Sequence, residues 1–530
     1  MFATARTVAL AGVAGHVVDV QVDVSQGSAN IAVVGRADAA ISEARERCRA
    51  AVDNSGFDWP RTRRVTILLS PADLPKRGPH FDLAIAVGVV AACTERFPVD
   101  CLRGTVLLGE LSLDGRVRAI PGVLPMVMAA AAHGMTRVLV PEPQADEAAL
   151  VDGVEVLGVR SLAQVMALLR GEEVPEAPEV EPLTGESLLT WQGEDRIETL
   201  DLADVLGMAD ARYALEVAAA GGHHLLLTGA KGAGKTSLAE RLPTILPRLD
   251  RQQSLELTAI HSLCGALPKG APVLTAPPFR APHHTASRSG ILGGGTGRVH
   301  PGEVSKAHHG VLFLDEFPLL PSDIVEALRQ PLESGVITIA RGDEDATYPA
   351  GGMLVLACNP CPCGEYSAVS RDHRCTCSEV KRRAYRQKIS GPIADRIDIT
   401  RHVEPEARQQ LPGEPGPESS ATVAARVSAA RRHQRARYAG TGWSVNGHVP
   451  GPALRNEFPL DPDATRRLDV VVYSGALTRR GATRVHRLAW SVADLRGVER
   501  PGLEELAVAL RLRRGEPLEL AWVDPLRRQG

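Results

Sequence analysis

The most constraining feature of this chain is an apolar run that opens into a glycine-rich loop ending in lysine and threonine. Residues 224–236 read His-Leu-Leu-Leu-Thr-Gly-Ala-Lys-Gly-Ala-Gly-Lys-Thr. The apolar residues are typical of a buried parallel strand, and the glycines allow backbone N–H groups to surround phosphate oxygens at the start of a helix. The segment therefore predicts an α/β fold that binds a nucleoside triphosphate. The predicted loop residues are Gly229, Ala230, Lys231, Gly232, Ala233, Gly234, Lys235, Thr236 and Ser237.

A second motif follows about eighty residues later, where the apolar run 311–314 ends in Asp315 and Glu316. Lys235 is expected to reach the β- and γ-phosphates, and Thr236 to bind Mg²⁺. Asp315 can hold the water shell of that metal, and Glu316 can polarise an attacking water. The alternative is a buried strand that ends in a solvated acidic turn. The two motifs in this order favour a site for ATP and Mg²⁺.

Two further residues fit the same site. The apolar run 353–357 leads to Asn359, which can orient the lytic water or the γ-phosphate, although Asn before Pro is also a common turn. Arg396 follows the last core strands, and its permanently charged guanidinium suits insertion into a neighbouring subunit as an arginine finger. A salt bridge to Asp395 or Asp398 within the chain is the alternative. A finger that acts between subunits requires a ring.

Composition limits the class of protein. The 530 residues are enough for three or four domains, and 44% hydrophobic with 23% charged residues is typical of a soluble globular protein. No apolar stretch has the length of a membrane span and no signal peptide is visible, so a cytoplasmic location without a membrane partner is expected. The 60 basic residues are balanced by 63 acidic ones, so any nucleic-acid binding must be local.

Periodicity and breaker residues divide the chain. Strand-like runs occupy 17–24, 65–69 and 137–141, and helical patterns occupy 39–52, 464–472, 483–495 and 503–512. The helix-like segment 424–438 carries five arginines and is expected to form a solvated face of a lid rather than a DNA contact. The predicted division is an α/β domain at 1–170, an acidic proline-rich linker at 171–196, a nucleotide core at 197–404 with a cysteine-rich insertion at 358–378, a linker at 405–420 and a helical lid at 421–530.

Four cysteines, Cys361, Cys363, Cys375 and Cys377, form two C-x-C pairs in that insertion. Four thiolates suit tetrahedral Zn²⁺ and can hold together an excursion too polar for its own core. The spacing is tighter than in most zinc sites, so free or redox-active thiols remain the alternative.

Several motifs together carry a family resemblance. They are Phe-Arg-Ala-Pro-His-His-Thr at 279–285, Leu-Gly-Gly-Gly at 292–295, Asn-Pro-Cys-Pro-Cys-Gly at 359–364 and Asp-Arg-Ile-Asp at 395–398. With the two nucleotide motifs, they resemble the ComM/YifB family of magnesium-chelatase-like AAA+ ATPases over essentially the whole chain. The resemblance implies an AAA+ P-loop core of the helix-2-insert class with a helical lid, hexamers on DNA, and, for ComM, a helicase that drives branch migration.

The resemblance also implies roles for particular residues. Arg396 is similar to the finger that acts between subunits, and Arg480 to the sensor-2 arginine of the lid, although a solvated basic face is an alternative for Arg480. Two insertions, 293–306 and 336–349, are expected to line the pore. The candidates for contact with the DNA backbone are Arg298, Lys306 and Arg341, which can instead be exposed loop charges without a ligand.

The segments 70–83 and 109–115 resemble the Lon-protease-like fold. A Ser-Lys peptidase needs a serine between Lys76 and Ala86, but His80 and Phe81 occupy that neighbourhood. The N-terminal domain is therefore expected to be catalytically inactive and to serve as a scaffold or DNA contact.

The leading hypothesis is a hexameric ATP-dependent DNA translocase or helicase that remodels branched DNA in recombination. One alternative is a magnesium-chelatase-type ATPase subunit that drives metal insertion into a porphyrin. Another is an ATP-gated DNA clamp that does not unwind its substrate.

Overall fold

The computed structural model describes residues 1–35, 38–95, 97–183, 199–265, 267, 273–295, 299–341, 344–366, 375–389, 393–403 and 416–519. Along the chain these residues form an N-terminal α/β region, a core built on a parallel sheet and a helical lid. Among the described residues, none of the helices combines the length and apolarity that crossing a membrane requires.

The described residues of the N-terminal region form two larger sheets and one two-stranded sheet. The first has the order β1-β2-β4-β3, with β1 Phe2–Ala11, β2 Ala14–Ser25, β3 Asn30–Val34 and β4 Arg64–Ser70. Alternate residues of β2 and β4 are buried, as expected for a sheet with one face on the core. The second sheet is parallel, with β5 Thr105–Leu107, β8 Arg137–Pro141 and β9 Glu155–Val159, and a short pair lies beside it, β6 Glu110–Leu111 and β7 Val117–Arg118.

Five helices accompany these sheets: α1 Ala39–Asn54, α2 Asp82–Cys93, α3 Val123–Ala132, α4 Ala145–Ala148 and α5 Leu162–Arg170. The predicted strands at 17–24, 65–69 and 137–141 and the helix at 39–52 are confirmed. After α5, residues 172–183 form neither helix nor strand, and part of this stretch lies against the N-terminal region, where Gln164 donates to the Pro175 carbonyl at 2.9 Å.

The neighbourhood in which a Lon-type peptidase would carry its nucleophile is a buried one. Lys76, His80 and Phe81 are buried, and the Lys76 ammonium donates to the Pro71 carbonyl. Asp82 is also buried and pairs with Arg47 at 2.8 Å. Burial raises the pKa of Asp82 to about 6, although the hydrogen bond from Arg47 opposes that rise. These groups are engaged with one another and with the backbone of their own domain.

The core sheet has the order β11-β14-β17-β10-β18, and every pairing is parallel. Its strands are β10 Leu225–Thr228, β11 Phe279–Arg280, β14 Val311–Leu314, β17 Met353–Cys358 and β18 Ile399–His402. Leu225 and Leu227 pack into one hydrophobic cluster and Leu226 into another, so both faces of the sheet are covered. This confirms the predicted parallel sheet and explains why its strands read as continuous apolar runs.

Helices and two insertions surround this sheet. The flanking helices are α6 Ala209–Gly221, α7 Lys235–Ile245, α8 Arg251–Leu263, α11 Ser322–Ala327, α12 Arg329–Ser334 and α13 Glu379–Ile389. Helix α9 Arg288–Leu292 leads into the first insertion, which comprises the strand pair β12 Gly293–Gly294 and β13 His300–Pro301, and α10 Glu303–Lys306. The second is the antiparallel hairpin of β15 Val336–Arg341 and β16 Glu344–Pro349.

The lid consists of α14 Ser420–Arg437, α15 Gly451–Asn456, α16 Pro462–Tyr473, α17 Arg479–Arg496 and α18 Leu503–Arg514, which confirms the predicted helices. It shares one hydrophobic cluster with the core, and a buried hydrogen bond of 2.7 Å joins His223 of the core to Ser491 of the lid.

The expectation of a solvated arginine face on α14 is wrong for three of its arginines. Arg426 pairs with Glu216 at 2.6 Å, Arg431 donates to the Ala219 carbonyl at 3.0 Å, and Arg437 pairs with buried Asp494. They fasten α14 to α6 and α17, because a long arginine can cover apolar surface while its guanidinium finds a buried acceptor.

Candidate nucleotide-binding site

The phosphate loop connects β10, which lies between β17 and β18, to the start of α7. Gly232 and Gly234 have φ angles of 79° and 87°, which favour glycine. Gly229 lies close to Val403, the residue after β18. A Cβ at Gly229 would lie 2.3 Å from the Val403 carbonyl oxygen, so only glycine fits there. The loop thus ends at the N-terminus of α7, where free N–H groups and the helix dipole favour an anion.

Lys235 is the first residue of α7 and its side chain turns back over the loop. Its Nζ donates to the carbonyls of Gly229 at 2.8 Å and Ala230 at 2.9 Å, and to Asn359 Oδ1 at 3.1 Å. Burial lowers the pKa of Lys235, and the nearby Asp315 carboxylate opposes this shift. An entering phosphate would replace these neutral acceptors with charged oxygens, which form stronger hydrogen bonds with an ammonium.

Asp315 and Glu316 follow β14, the second strand from β10. Asp315 Oδ2 accepts a long hydrogen bond of 3.4 Å from Thr236 Oγ1, and Asp315 Oδ1 accepts from the Glu316 N–H at 2.8 Å. Glu316 has a φ of 48°, a left-handed conformation uncommon for a residue with a side chain. This conformation turns the Glu316 carboxylate towards His284, whose Nδ1 lies 3.7 Å from Glu316 Oε2.

Asn359 follows β17, between β10 and β14 in the sheet. Because parallel strands end at the same edge, the structure brings Lys235, Thr236, Asp315, Glu316 and Asn359 together at the carboxyl edge of the core sheet. The adjacent Thr236 hydroxyl and Asp315 carboxylate offer the oxygen donors that Mg²⁺ prefers.

Arg396 lies at the opposite ends of the strands, the amino edge of the core sheet. It belongs to the turn that precedes β18, and Ile399, the first residue of β18, pairs with Leu225, the first residue of β10. Its guanidinium forms an ion pair with Glu333 of α12, with Nε 2.9 Å from Glu333 Oε1. Within the described part of the chain, the ion pair of Arg396 is with Glu333 rather than with Asp395 or Asp398.

Lid arginines hold this turn in place. Arg484 of α17 donates to the Asp395 carbonyl and to Asp398 Oδ1, both at 2.7 Å. Burial alone would raise the pKa of Asp398, but the Arg484 charge and the nearby His223 ring keep it well below its usual value. Arg480 lies one turn before Arg484 on the same face of α17 and is exposed. Arg480 therefore lies on the helix face that carries Arg484, and Arg484 contacts the turn before β18.

The three candidate DNA contacts lie in different parts of the chain. Arg298 lies outside the described residues, and Arg341 ends β15 at the tip of the second insertion, where its side chain is not described. Lys306 is not a loop residue: it ends α10 and its ammonium pairs with Glu303 at 2.9 Å. Tyr348 is buried and donates to the Val299 carbonyl at 2.7 Å, so the two insertions pack together and Tyr348 cannot stack on bases.

The four cysteines of the cysteine-rich insertion, residues 358–378, lie close together. The sulfur atoms of Cys361, Cys363, Cys375 and Cys377 lie within 4.8 Å of one another, and all four cysteines are free. A second cluster of side chains that could ligate a metal consists of Glu256 of α8 and of His308 and His309, just before β14, with His309 Nε2 2.8 Å from Glu256 Oε2.

Sequence reasoning missed three residues of this arrangement. The sequence predicts no role for His284, which faces Glu316, or for Glu333 and Arg484, which pair with Arg396 and Asp398. The motif containing His284 pointed to its importance, whereas the partners on α12 and α17 are distant in sequence and had no local signal.

Three family models match the chain. They are described as subunit ChlI of Mg-chelatase, which matches residues 20–144, magnesium chelatase subunit ChlI, which matches residues 201–411, and the C-terminal part of magnesium chelatase subunit ChlI, which matches residues 417–513.

Curated relatives match over nearly the whole length. An uncharacterized protein of Mycobacterium tuberculosis is 45% identical over 509 residues, covering 96% of this chain and 98% of the relative. The uncharacterized protein YifB of Escherichia coli is 37% identical, with 92% of both chains covered. The competence protein ComM of Haemophilus influenzae is 35% identical, with 95% of both covered. A shorter match, 26% identical over 167 residues, is to Lon protease 2 of Bacillus subtilis and covers 29% of this chain and 30% of the protease.

Proposed function

We propose that this chain, which belongs to the ComM/YifB family of magnesium-chelatase-like AAA+ proteins, is an ATPase that assembles into a hexameric ring and moves along DNA. In this proposal, ATP hydrolysis drives the remodelling of branched DNA, including branch migration. Family membership supports ATP hydrolysis with Mg²⁺, and similarity to a competence protein supports a role on DNA.

The observation that carries the proposal is the separation of Arg396 from the phosphate loop. The loop follows the carboxyl end of β10, whereas the Arg396 turn lies beside the amino end of that strand. Four strand residues span about 13 Å, and the turn lies beyond them, so Arg396 cannot reach the nucleotide of its own chain. A neighbour that docks its amino edge on this carboxyl edge would supply the missing guanidinium, and repetition of such a head-to-tail contact closes a ring.

Each residue at the carboxyl edge has a role in this mechanism. The loop amides and Lys235 bind the triphosphate, while Thr236 and Asp315 hold Mg²⁺. When bound, that metal neutralises charge on the β- and γ-phosphates. Glu316 polarises the attacking water and Asn359 orients it. Arg396 of the neighbour then stabilises the charge that develops on the transferred phosphoryl group.

Arg480 fits the same interface. Because Arg484 fixes that face of α17 against the Arg396 turn, an exposed Arg480 would enter the neighbour's nucleotide site together with Arg396. The lid would then sense the nucleotide of the adjacent subunit. Rotation of one lid on nucleotide turnover would thereby move the next subunit.

The two insertions are the proposed DNA-binding elements. Arg341 is the last residue of β15, at the tip of the hairpin, and Arg298 lies in the sequence between β12 and β13. Contacts with phosphates rather than bases would suit movement on any sequence and would weaken steeply with salt.

The descriptions of the matching family models favour one other function, an ATPase subunit that drives metal insertion into a porphyrin. Stimulation by DNA separates the two functions. ATPase turnover measured with and without forked DNA should rise with DNA for a translocase, and a rate indifferent to DNA would favour the chelatase. Strand displacement that is lost in Glu316→Gln while ATP binding persists would exclude a clamp that does not unwind.

A subunit-mixing experiment tests the shared site. Lys235→Ala cannot bind triphosphate and Arg396→Ala lacks the finger, so each variant alone should be inactive. When equal amounts are mixed, about a quarter of the interfaces in a random ring pair an intact loop with an intact finger. ATPase activity should return to roughly that fraction of the wild-type rate. An Arg396→Ala variant that hydrolyses ATP normally, or an absence of rescue with intact rings, would contradict the proposal.

A further inference from the structure

Four thiols of the cysteine-rich insertion surround one point. Cys361 Sγ lies 3.3 Å from Cys363 Sγ and 3.6 Å from Cys375 Sγ, and Cys363 Sγ lies 3.6 Å from Cys375 Sγ. Cys377 completes the group. Sulfur atoms bound to one tetrahedral Zn²⁺ at about 2.3 Å are about 3.8 Å apart. Sulfur atoms in a disulfide are about 2.05 Å apart. The separations match a shared metal ion.

The described part of this insertion has little else to hold its shape. Between Pro360 and Ser378, the buried residues among those described are Cys361 and Gly364, and the others are half-buried or exposed. One outside contact is the Tyr366 ring, which lies 4.7 Å from the Arg382 guanidinium of α13. A polar excursion without an apolar core is stable when a metal cross-links it.

The insertion packs directly on the nucleotide site. Asn359, which accepts a hydrogen bond from Lys235, is two residues before Cys361. Gly364 has a φ of 83°, and a Cβ built there would lie 3.6 Å from Lys231 Cβ and 3.9 Å from Asn359 Cγ. The loop that carries two of the thiols therefore forms a wall against the phosphate loop.

On the other side, the insertion leads to the arginine finger. Cys377 is two residues before α13, and the turn with Arg396 follows the end of that helix. The four thiols thus lie where the chain leaves the carboxyl edge of the sheet on its way to the amino edge. A fixed point there sets both the position of Asn359 and the start of the helix that leads to Arg396.

We propose that Cys361, Cys363, Cys375 and Cys377 bind one Zn²⁺ and that this metal supports the phosphate loop through Asn359 and Gly364. The first part stands independently, and the second rests on the proposed nucleotide function. The zinc is structural: four protein ligands fill its coordination sphere and leave no position for a substrate. Loss of the zinc would loosen the contact of the cysteine-rich insertion with the phosphate loop. It would remove no group that touches the triphosphate.

Metal analysis tests the site. Protein purified under reducing conditions without chelators should contain close to one zinc per chain, and a double Cys375→Ser, Cys377→Ser variant should lose it. Cys93→Ser and His309→Ala are the matched controls, because Cys93 lies in the N-terminal region and His309 in the other ligand cluster. Both should retain zinc, and cobalt-substituted wild type should show the charge-transfer absorption of thiolate ligands. Zinc that is absent from the wild type, or lost only with His309→Ala, would overturn the assignment.

Nucleotide affinity tests the link to the phosphate loop. Removing zinc from wild-type protein with a chelator that prefers Zn²⁺ to Mg²⁺ should weaken binding of a fluorescent ATP analogue about fivefold, the effect of one lost hydrogen bond. Added Zn²⁺ should restore the affinity, and added Mg²⁺ should not. Because wild-type protein is used, the result does not depend on how the cysteine variants fold. Unchanged affinity in zinc-free protein would overturn the link, whereas absent ATPase activity in zinc-loaded protein would count against the proposed function alone.

Discussion

The guanidinium of Arg396 and the carboxylate of Glu333 form an ion pair at the amino edge of the core sheet, with Nε 2.9 Å from Oε1. Arg396 is largely covered, whereas Glu333 is more than half exposed, with a relative side-chain exposure of 57%. A pair on the solvent side of one subunit must open if the guanidinium is to reach a phosphate of another. In the proposed ring, Glu333 would therefore compete with the neighbour's nucleotide for Arg396.

Replacing Glu333 with Gln should raise ATPase turnover in the absence of DNA. An ion pair with one exposed partner contributes about 1 kcal/mol or less, so the increase should be about two- to fivefold. The measurement is kcat at saturating ATP, with Glu326→Gln as the control because Glu326 pairs with Arg329 on the neighbouring helix instead. A fall in kcat would mean that Glu333 positions the finger.

Arg484 and Arg480 should separate stability from catalysis. Arg484→Ala leaves the buried Asp398 carboxylate without its main positive partner, which costs about 3–5 kcal/mol when a buried pair loses one member. Arg480→Ala changes an exposed side chain and should alter stability by less than about 0.5 kcal/mol. Chemical denaturation monitors both changes. We expect Arg480→Ala to reduce ATPase activity nonetheless, and an active Arg480→Ala ring would contradict its role between subunits.

Buried histidines should make the fold sensitive to acid. Burial lowers the pKa of His261 to about 3 and that of His486 to about 4. The unfolded chain titrates these groups near pH 6.5, so between about pH 6.5 and 4 the unfolded state binds more protons than the folded state. Stability is complete above that range and falls as the pH decreases through it. At about pH 5 each histidine lowers the free energy of unfolding by about 2 kcal/mol relative to neutral pH.

Denaturant unfolding followed by tryptophan fluorescence at neutral and mildly acidic pH measures this loss. His486→Gln should flatten the pH dependence, because glutamine does not titrate and its amide can donate to the Phe458 carbonyl as His486 Nε2 does at 2.9 Å. His433→Gln, on an exposed position of α14, should leave the dependence unchanged. An identical slope in His486→Gln and wild type would contradict a neutral buried His486.

The sequence was sufficient to predict the parallel core and the residues at its carboxyl edge. Asp315 and Asn359 follow the ends of two strands, and the loop after a third strand leads to Lys235; because parallel strands end at one edge, these three residues had to meet. The ion pair of Arg396 could not be predicted in the same way. Its partner Glu333 is 63 residues away, and only the packing of α12 against the turn before β18 brings the two together.

The lid arginines illustrate the same limit. The helical periodicity of 483–495 predicted α17 correctly, but a helix does not reveal which edge of a sheet it will contact. The position of α17 depends on its contacts with α18 and with the turn before β18. Arg513 of α18, for example, approaches the carbonyl of Ile397 beside Arg484. The arginines of α14 were misassigned for a related reason, since Glu216 and Asp494 are far from them in sequence.

His284 should position the carboxylate that activates water. Its Nδ1 lies 3.7 Å from Glu316 Oε2, and His284 lies four residues before α9, the helix that leads into the first insertion. Replacing His284 with Ala should lower kcat by about tenfold, a part of what a well-placed general base contributes, while ATP affinity changes little. His283→Ala is the matched control, because the His283 ring contacts Thr285 Oγ1 at 2.7 Å instead. If DNA stimulates hydrolysis through the first insertion, His284→Ala should lower the DNA-stimulated ATPase rate more than the rate without DNA. Equal losses in both variants would mean that the turn, not the His284 contact, matters.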